Sequence, residues 1–230
     1  MTRLVAVAVL ALSGGVAFAE DACEIRLAPV YLWAPINTTS ASDSEGGPTV
    51  DVTQGETGLN GAWGAKVEMR KGGTTLSVGG WYASLAYDAN AERQRALDFK
   101  VSLFELYGGH EVVDQLSVYG GIRYYNGDLE YSSSTVSSID QETRLLDPVV
   151  GVWYQPRLSK SWTAMVAGDV GGFTVGFDWS ASVSGVFSWK PTKHFGLDVG
   201  YRAFYMKKDG DSGFLQTTFY GPIFGATIYF

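Results

Sequence analysis

The chain has 230 residues, 46% of them hydrophobic, a formal net charge of −7 and a single cysteine. The acidic balance excludes the basic stripe with which nucleic-acid binders neutralise phosphates, and one cysteine excludes an intramolecular disulfide, so stability rests on packing and hydrogen bonds. After the N-terminal segment no stretch carries the roughly 18 consecutive apolar residues of a spanning helix, which excludes a helical membrane protein but not a barrel, whose strands need only about 9–11 residues each.

The opening "MTRLVAVAVLALSGGVAFA" has Arg3 in a short basic start, an apolar stretch from Leu4, and Ala17 and Ala19 around Phe18. This is the pattern of a secretory signal peptide over residues 1–19, cleaved before Glu20, and it leaves residues 20–230 as one exported domain. Cys23 follows "EDA", which lacks the apolar and small-residue run of lipoprotein processing, so it reads as an incidental thiol.

Period-two alternation broken by turn residues then continues to the last residue. It predicts ten strands, over 24–35, 59–70, 74–86, 98–110, 116–126, 144–155, 161–170, 177–189, 195–206 and 218–230. An even number lets an up-and-down barrel keep both termini on one side. The expected fold is therefore all-β, a transmembrane up-and-down antiparallel β-barrel of ten strands, with eight as the alternative.

Connections alternate in length. "KGG" (71–73), "EVVDQ" (111–115), "PRLSK" (156–160) and "PTKH" (191–194) are short; 36–58, 87–97, 127–143 and 207–217 are long, Ser/Thr/Asp/Gly-rich and expected to be solvated loops, with 171–176 a compact exception. Short periplasmic turns and long extracellular loops are the asymmetry of outer-membrane barrels, and they place both termini in the periplasm.

Within strands, one face is apolar and the other small or polar. In 98–110, strict alternation from Phe99 through Val101 and Leu103 would aim Glu105 at lipid, so a bulge near Leu103 and Phe104 is expected to turn it inward. In 177–189, Phe177, Trp179, Ala181, Val183, Phe187 and Trp189 oppose Asp178, Ser180, Ser182, Ser184 and Ser188. In 195–206, Phe195, Leu197, Val199, Tyr201 and Tyr205 oppose Gly196, Asp198, Gly200 and Arg202. The second face is too small and polar for a hydrophobic core, so the apolar face must meet lipid. The glycine pairs at 79–80, 108–109, 120–121 and 171–172 open no helix and read as aids to curvature rather than phosphate cradles.

Aromatic residues on the apolar face gather near strand ends. Tyr154, Trp162, Trp189, Phe195 and Phe230 fall on the short-turn side, and Trp33, Tyr124, Trp179, Tyr205 and Tyr220 on the long-loop side, as two interfacial belts would require. The last strand continues outward through Tyr220, Pro222, Phe224, Ala226, Ile228 and Phe230.

With the signal peptide, the strand and turn pattern and the terminal "ATIYF", the sequence resembles the small outer-membrane β-barrel superfamily of Gram-negative bacteria, which includes OmpA-, OmpX- and OmpW-type proteins. That resemblance implies outer-membrane lipid and lipopolysaccharide as surroundings, and barrel-assembly machinery that reads the C-terminal strand ending in Phe230. It covers nearly all of residues 24–230 and says little about activity.

Projected inward, Arg123, Asp147, Asp169, Asp178 and Arg202 form an expected cluster toward the long loops, with Glu105 and Asp198 lower and Lys66 and Glu68 on the second strand. Such charges either fill the lumen as ion pairs or line an ion or solute site. Known enzymes among the small barrels that the chain resembles rely on His with Ser, Asp or Glu, whereas His110 and His194 both fall at short turns, away from the cluster. No catalytic constellation is therefore expected, although a carboxylate hydrolase using Asp147, Asp169 or Asp178 stays open. "DGDSG" at 209–213 lacks the bidentate Glu of a calcium loop and reads as a turn. No metal or cofactor is expected. The expected role is a non-enzymatic barrel with a structural or surface-interaction role, with a narrow channel as the alternative and a surface hydrolase below it.

Overall fold

In a computed structural model, residues 23–43, 50–53, 58–89, 95–133, 136–210 and 213–230 are described. The segment read as a signal peptide lies outside them. The described chain forms β1 (Glu24–Trp33), β2 (Ile36–Asp43), β3 (Val50–Thr53), β4 (Gly58–Lys71), β5 (Thr74–Ala89), β6 (Arg95–Val113), β7 (Leu116–Ser133), β8 (Val136–Tyr154), β9 (Trp162–Gly172), β10 (Trp179–Trp189), β11 (Phe195–Gly210) and β12 (Gly213–Tyr229).

Each of β4 to β11 pairs antiparallel with the next, and β1 pairs with both β4 and β12, so ten strands close into a barrel with no free edge around its waist. The count and the closure agree with the alternation in the sequence. β2 continues the line of β1 past Ala34 and Pro35 and pairs with the upper half of β12, and β3 pairs with β2. Pro35 lacks an N–H, but Ala34 N still donates to Pro222 O at 3.0 Å. A Cβ at Gly221 would collide with the Ala34 carbonyl, so this close approach of the backbones requires glycine there.

Four expectations are corrected. The long connections are not simply loops: strands run through 36–43, 50–53, 87–89, 95–97, 127–133, 136–143, 207–210 and 213–217. Main-chain ladders do not need an apolar face, and Ser/Thr-rich runs that are polar on both faces conceal them. Next, no bulge interrupts β6 at Leu103 and Phe104; its ladder with β5 is unbroken from Thr74↔His110 to Ala89↔Arg95. Phe104 points outward at 46% exposure, while Val101, Leu103 and Glu105 share the inward face. The lumen is itself apolar at the level of Val101 and Leu103, so no phase shift is needed.

Phe177 and Trp33 also turn inward, each 1% exposed. β10 begins only at Trp179, and the 173–178 turn folds Phe177 over the lumen, where its N–H donates to Asp147 Oδ1 at 2.8 Å. Trp33 follows a register shift in the β1–β12 pairing between Leu27 and Val30, which changes the phase that strict alternation assigned to it.

Outward faces carry exposed Phe104, Ile122, Val150, Val183, Phe187 and Phe224, among others, all around the barrel. A continuous apolar exterior around a closed sheet is stable in hydrocarbon, where every backbone group is paired internally. At the short-turn end Tyr154, Trp162, Trp189, Phe195 and Phe230 are exposed, with the Trp162 and Trp189 rings stacked at 6.0 Å. At the other end Tyr124 and Trp179 are exposed, and Tyr205 and Tyr220 are half-buried on outward positions. Aromatic side chains thus gather on the exterior at both ends of the barrel, and Trp33 is not among them.

Candidate functional site: the filled lumen

Three layers of inward side chains occupy the lumen. Nearest the short turns, Glu68 on β4 accepts Arg70 Nε at 2.7 Å and Arg26 Nη1 at 3.4 Å, and Lys66 Nζ lies 3.3 Å from its other oxygen. Arg26 also reaches Glu24 at 3.1 Å. These positions alternate along β1 and β4, and the pairing Arg26↔Glu68 places them side by side.

The middle layer centres on Glu105. Arg123 Nε donates to its Oε1 at 2.9 Å, Arg202 Nη2 to Oε1 at 2.6 Å and Nη1 to Oε2 at 3.2 Å, and the Tyr107 hydroxyl donates to Oε1 at 2.7 Å. Arg123 Nη2 donates to Tyr107 Oη at 2.9 Å and to both oxygens of Asp169 at 2.9 and 3.0 Å. Asp169 also accepts the Tyr119 hydroxyl at 2.9 Å. Arg123 is 1% exposed, so its charge is sustained by these partners rather than by water.

Above lies an apolar layer that includes Trp33, Trp81, Phe177, Phe204, Met206 and Phe219. The two layers interlock: the Arg123 guanidinium sits 4.6 Å from the Phe204 ring centroid and that of Arg202 5.0 Å from Trp33. Trp81 Nε1 donates to Trp33 O at 3.1 Å, satisfying a carbonyl beyond the point where the β1–β4 ladder ends at Ala28↔Lys66.

Of the five charges expected to gather, Arg123, Asp169 and Arg202 meet, and Glu105, expected to lie lower with Asp198, is their hub. Asp147 faces Arg123 in the β7–β8 register. Its Oδ1 nevertheless accepts the Phe177 N–H, and its Oδ2 is buried without a hydrogen-bond partner among the described residues. Asp178 stands at the rim outside the strands; its carboxyl is held below the ordinary aspartate range chiefly by the Asp209 backbone N–H, with Lys208 Nζ 3.5 Å away. Asp198 lies nearer the short turns and accepts the Thr227 hydroxyl at 2.6 Å.

Tyr107 and Tyr119 were not among the expected cluster residues. Their signal was parity: Tyr107 is two residues from Glu105, and Tyr119 four from Arg123. His110 bonds Thr74 Oγ1 at 3.0 Å and His194 lies 3.2 Å from Tyr229 O, both at the short-turn end. Among the described residues no group of three His, Cys, Asp or Glu is arranged to hold a metal ion. "DGDSG" at 209–213 lies partly outside the described residues.

Below Trp33 and Trp81 the packing leaves a cavity of about 90 Å³, lined by Lys66, Arg70, Gly79, Ser184, Asp169 and Arg202 among others. Side-chain exposure rises from 1% at Arg123 and 10% at Arg202 to 31% at Lys66 and 26% at Arg70, so water reaches it from the short-turn end.

No family model matches the chain, and no curated protein matches it in sequence. Solved structures do match. The outer membrane protease OmpT from Escherichia coli has a TM-score of 0.54 at 10% identity, over 94% of this chain and 99% of that one. The translocator domain of the autotransporter NalP from Neisseria meningitidis gives 0.45 at 12% identity, over 92% and 90%. Ail, the attachment invasion locus protein of Yersinia pestis, gives 0.43 at 12%, over 90% and 97%. At such identities likeness speaks to fold alone, and of these three the OmpT match carries it. Together with the closed sheet and its apolar exterior, that match gives the chain the fold of the small outer-membrane β-barrels, as a ten-stranded antiparallel transmembrane barrel.

Proposed function

We propose that the protein is a non-enzymatic, non-conducting barrel of the outer membrane whose working surface is formed by the hairpins that project beyond the bilayer. One observation carries this reading: the lumen is crossed by two successive buried layers, the Glu105–Arg123–Asp169–Arg202 network and the aromatic layer above it. A conducting pore needs a continuous polar path with binding weak enough to release the ion. Here both arginines are held by carboxylates and roofed by Phe204 and Trp33.

In this reading the short turns and both barrel termini are periplasmic, the long hairpins face outside the cell, and lipid and lipopolysaccharide surround the apolar exterior. The C-terminal strand ending in Phe230 is the segment read by barrel-assembly machinery. Catalysis is disfavoured by the place of the two histidines, far along the strands from the buried carboxylates, and by the engagement of Asp169 with Arg123 and Tyr119.

Conductance of the refolded chain in a planar bilayer tests the proposal, with folding verified by heat-dependent gel mobility. Silence from folded protein is expected. Reproducible charge-selective steps that weaken with Asp169→Asn would instead make the inward network the filter of a narrow channel.

A further inference from the structure

We propose that the cavity beneath Trp33 and Trp81 is a blind binding pocket for a small oxyanion, a carboxylate in the first instance, entering from the short-turn end. The inference rests on the closed-lumen reading only in that the aromatic layer forms the pocket's closed roof.

Three cations and three carboxylates line the cavity, so its formal charge is balanced, but its hydrogen-bonding capacity is not. Glu105 already accepts from Arg123, Arg202 and Tyr107. Glu68 is held by Arg26, Lys66 and Arg70, and Asp169 accepts from Arg123 and Tyr119. The carboxylates are therefore engaged. Donors remain in excess: Arg70 binds Glu68 through Nε, leaving Nη1 and Nη2 without a partner among the described residues. Lys66 has one carboxylate for three N–H groups. Arg202 uses Nε on Ser182 and one N–H from each terminal nitrogen on Glu105, leaving two of its five donors without a partner among the described residues while it is 8% exposed.

Spare donors on buried or half-buried cations attract an acceptor, and a small oxyanion supplies several lone pairs in a compact volume. A cavity of about 90 Å³ suits a ligand of a few heavy atoms. Small inward residues make the space: Gly79 on β5 and Ser182 and Ser184 on β10 face each other across it, and Tyr107, Tyr119 and Trp153 on β6, β7 and β8 fill the wall between them. The Tyr119 and Trp153 rings stack at 4.6 Å and hold that wall in place. The balance also distinguishes this pocket from a cation site, because a cation would have to displace an arginine or lysine from a carboxylate it already holds.

The pocket can be filled without removing a charged group. A Cβ at Gly79 would find its nearest neighbours, Ala65 O and Lys66 Cγ, at 3.8 Å, so a larger side chain there grows into the cavity. The test uses the folded full-length barrel domain in detergent at constant ionic strength set with chloride. Acetate, succinate and inorganic phosphate are titrated while the fluorescence of the cavity tryptophans is followed, with tetramethylammonium as the cationic control. Saturable changes with the anions and none with tetramethylammonium are expected. Lys66→Gln is expected to weaken binding about tenfold, the loss of one charge-assisted hydrogen bond. Gly79→Leu is expected to abolish it, with Ser184→Leu from the facing wall as the second filling variant should Gly79→Leu not fold. No saturable response from the folded protein, or a response unchanged by cavity filling, overturns the proposal. Conductance together with retained anion binding would refute the closed lumen and leave the pocket standing.

Discussion

Glu105 on β6 and Arg202 on β11, 97 residues apart in the chain, meet across the lumen through two hydrogen bonds of 2.6 and 3.2 Å. Neither strand neighbours the other in the sheet. The pair therefore ties opposite walls of the barrel together, and Arg123 joins it from β7.

Breaking that tie should be costly. Glu105→Gln leaves Arg123 and Arg202 facing a neutral amide, and truncating one partner of a buried ionic network typically costs about 3–5 kcal/mol. Replacing Glu105 by Leu and Arg202 by Met together is expected to cost less than the sum of the single changes, since no uncompensated charge is then left at that pair. Urea unfolding of the refolded barrel, followed through tryptophan fluorescence, measures both.

Depth should govern the cost of charges on the exterior. Val150 points outward beside the level of Asp169 and is 53% exposed, so Val150→Arg is expected to destabilise by roughly 2–4 kcal/mol. Trp179 lies at the rim, and Trp179→Arg is expected to cost roughly 0–1 kcal/mol from the charge itself. Unfolding from lipid vesicles compares the two; equal costs would refute the assigned membrane depth.

The aromatic layer should behave as a core. Phe204 is 1% exposed and covers Arg123, so Phe204→Ala is expected to cost about 3–5 kcal/mol. The space left beneath Phe177 and Phe219 should also admit water to the ion network. Faster hydrogen exchange at the β10 and β11 amides, measured by mass spectrometry, would report it.

Asp178 supplies a pH dependence with a defined sign. The Asp209 N–H holds its folded pKa below the unfolded value, so the stabilisation is present above the unfolded pKa, near 4 for an aspartate, and is lost as pH falls through the folded value. The 173–178 turn should therefore loosen below about pH 4 in the native chain and show no such transition in Asp178→Asn. Carboxyl chemical shifts followed by NMR from pH 6 downward locate the midpoint.

Much of the candidate site was legible because parity in a strand is rigid. Once β11 is in phase, Asp198, Arg202 and Phe204 must share the inward face, and Ser180, Ser182 and Ser184 on β10 meet them there. The same rule failed at Trp33, where a register shift intervenes, and at Phe177, which belongs to a turn. It also misled at Val101 and Leu103, since alternation states that two residues share a face and leaves open which medium that face meets.

By itself, then, the amino-acid sequence determined the number of barrel strands, their antiparallel succession, the short-turn and long-hairpin ends and the apolar exterior, all of which follow from local periodicity and turn chemistry. Only the tertiary structure decided which charges become partners. Glu105 finds Arg202, Asp147 turns to a backbone N–H instead of the arginine opposite it, and Phe177 and Trp33 close the lumen. Those choices depend on distances across a closed cylinder, and strand alternation carries no information about what stands on the far wall.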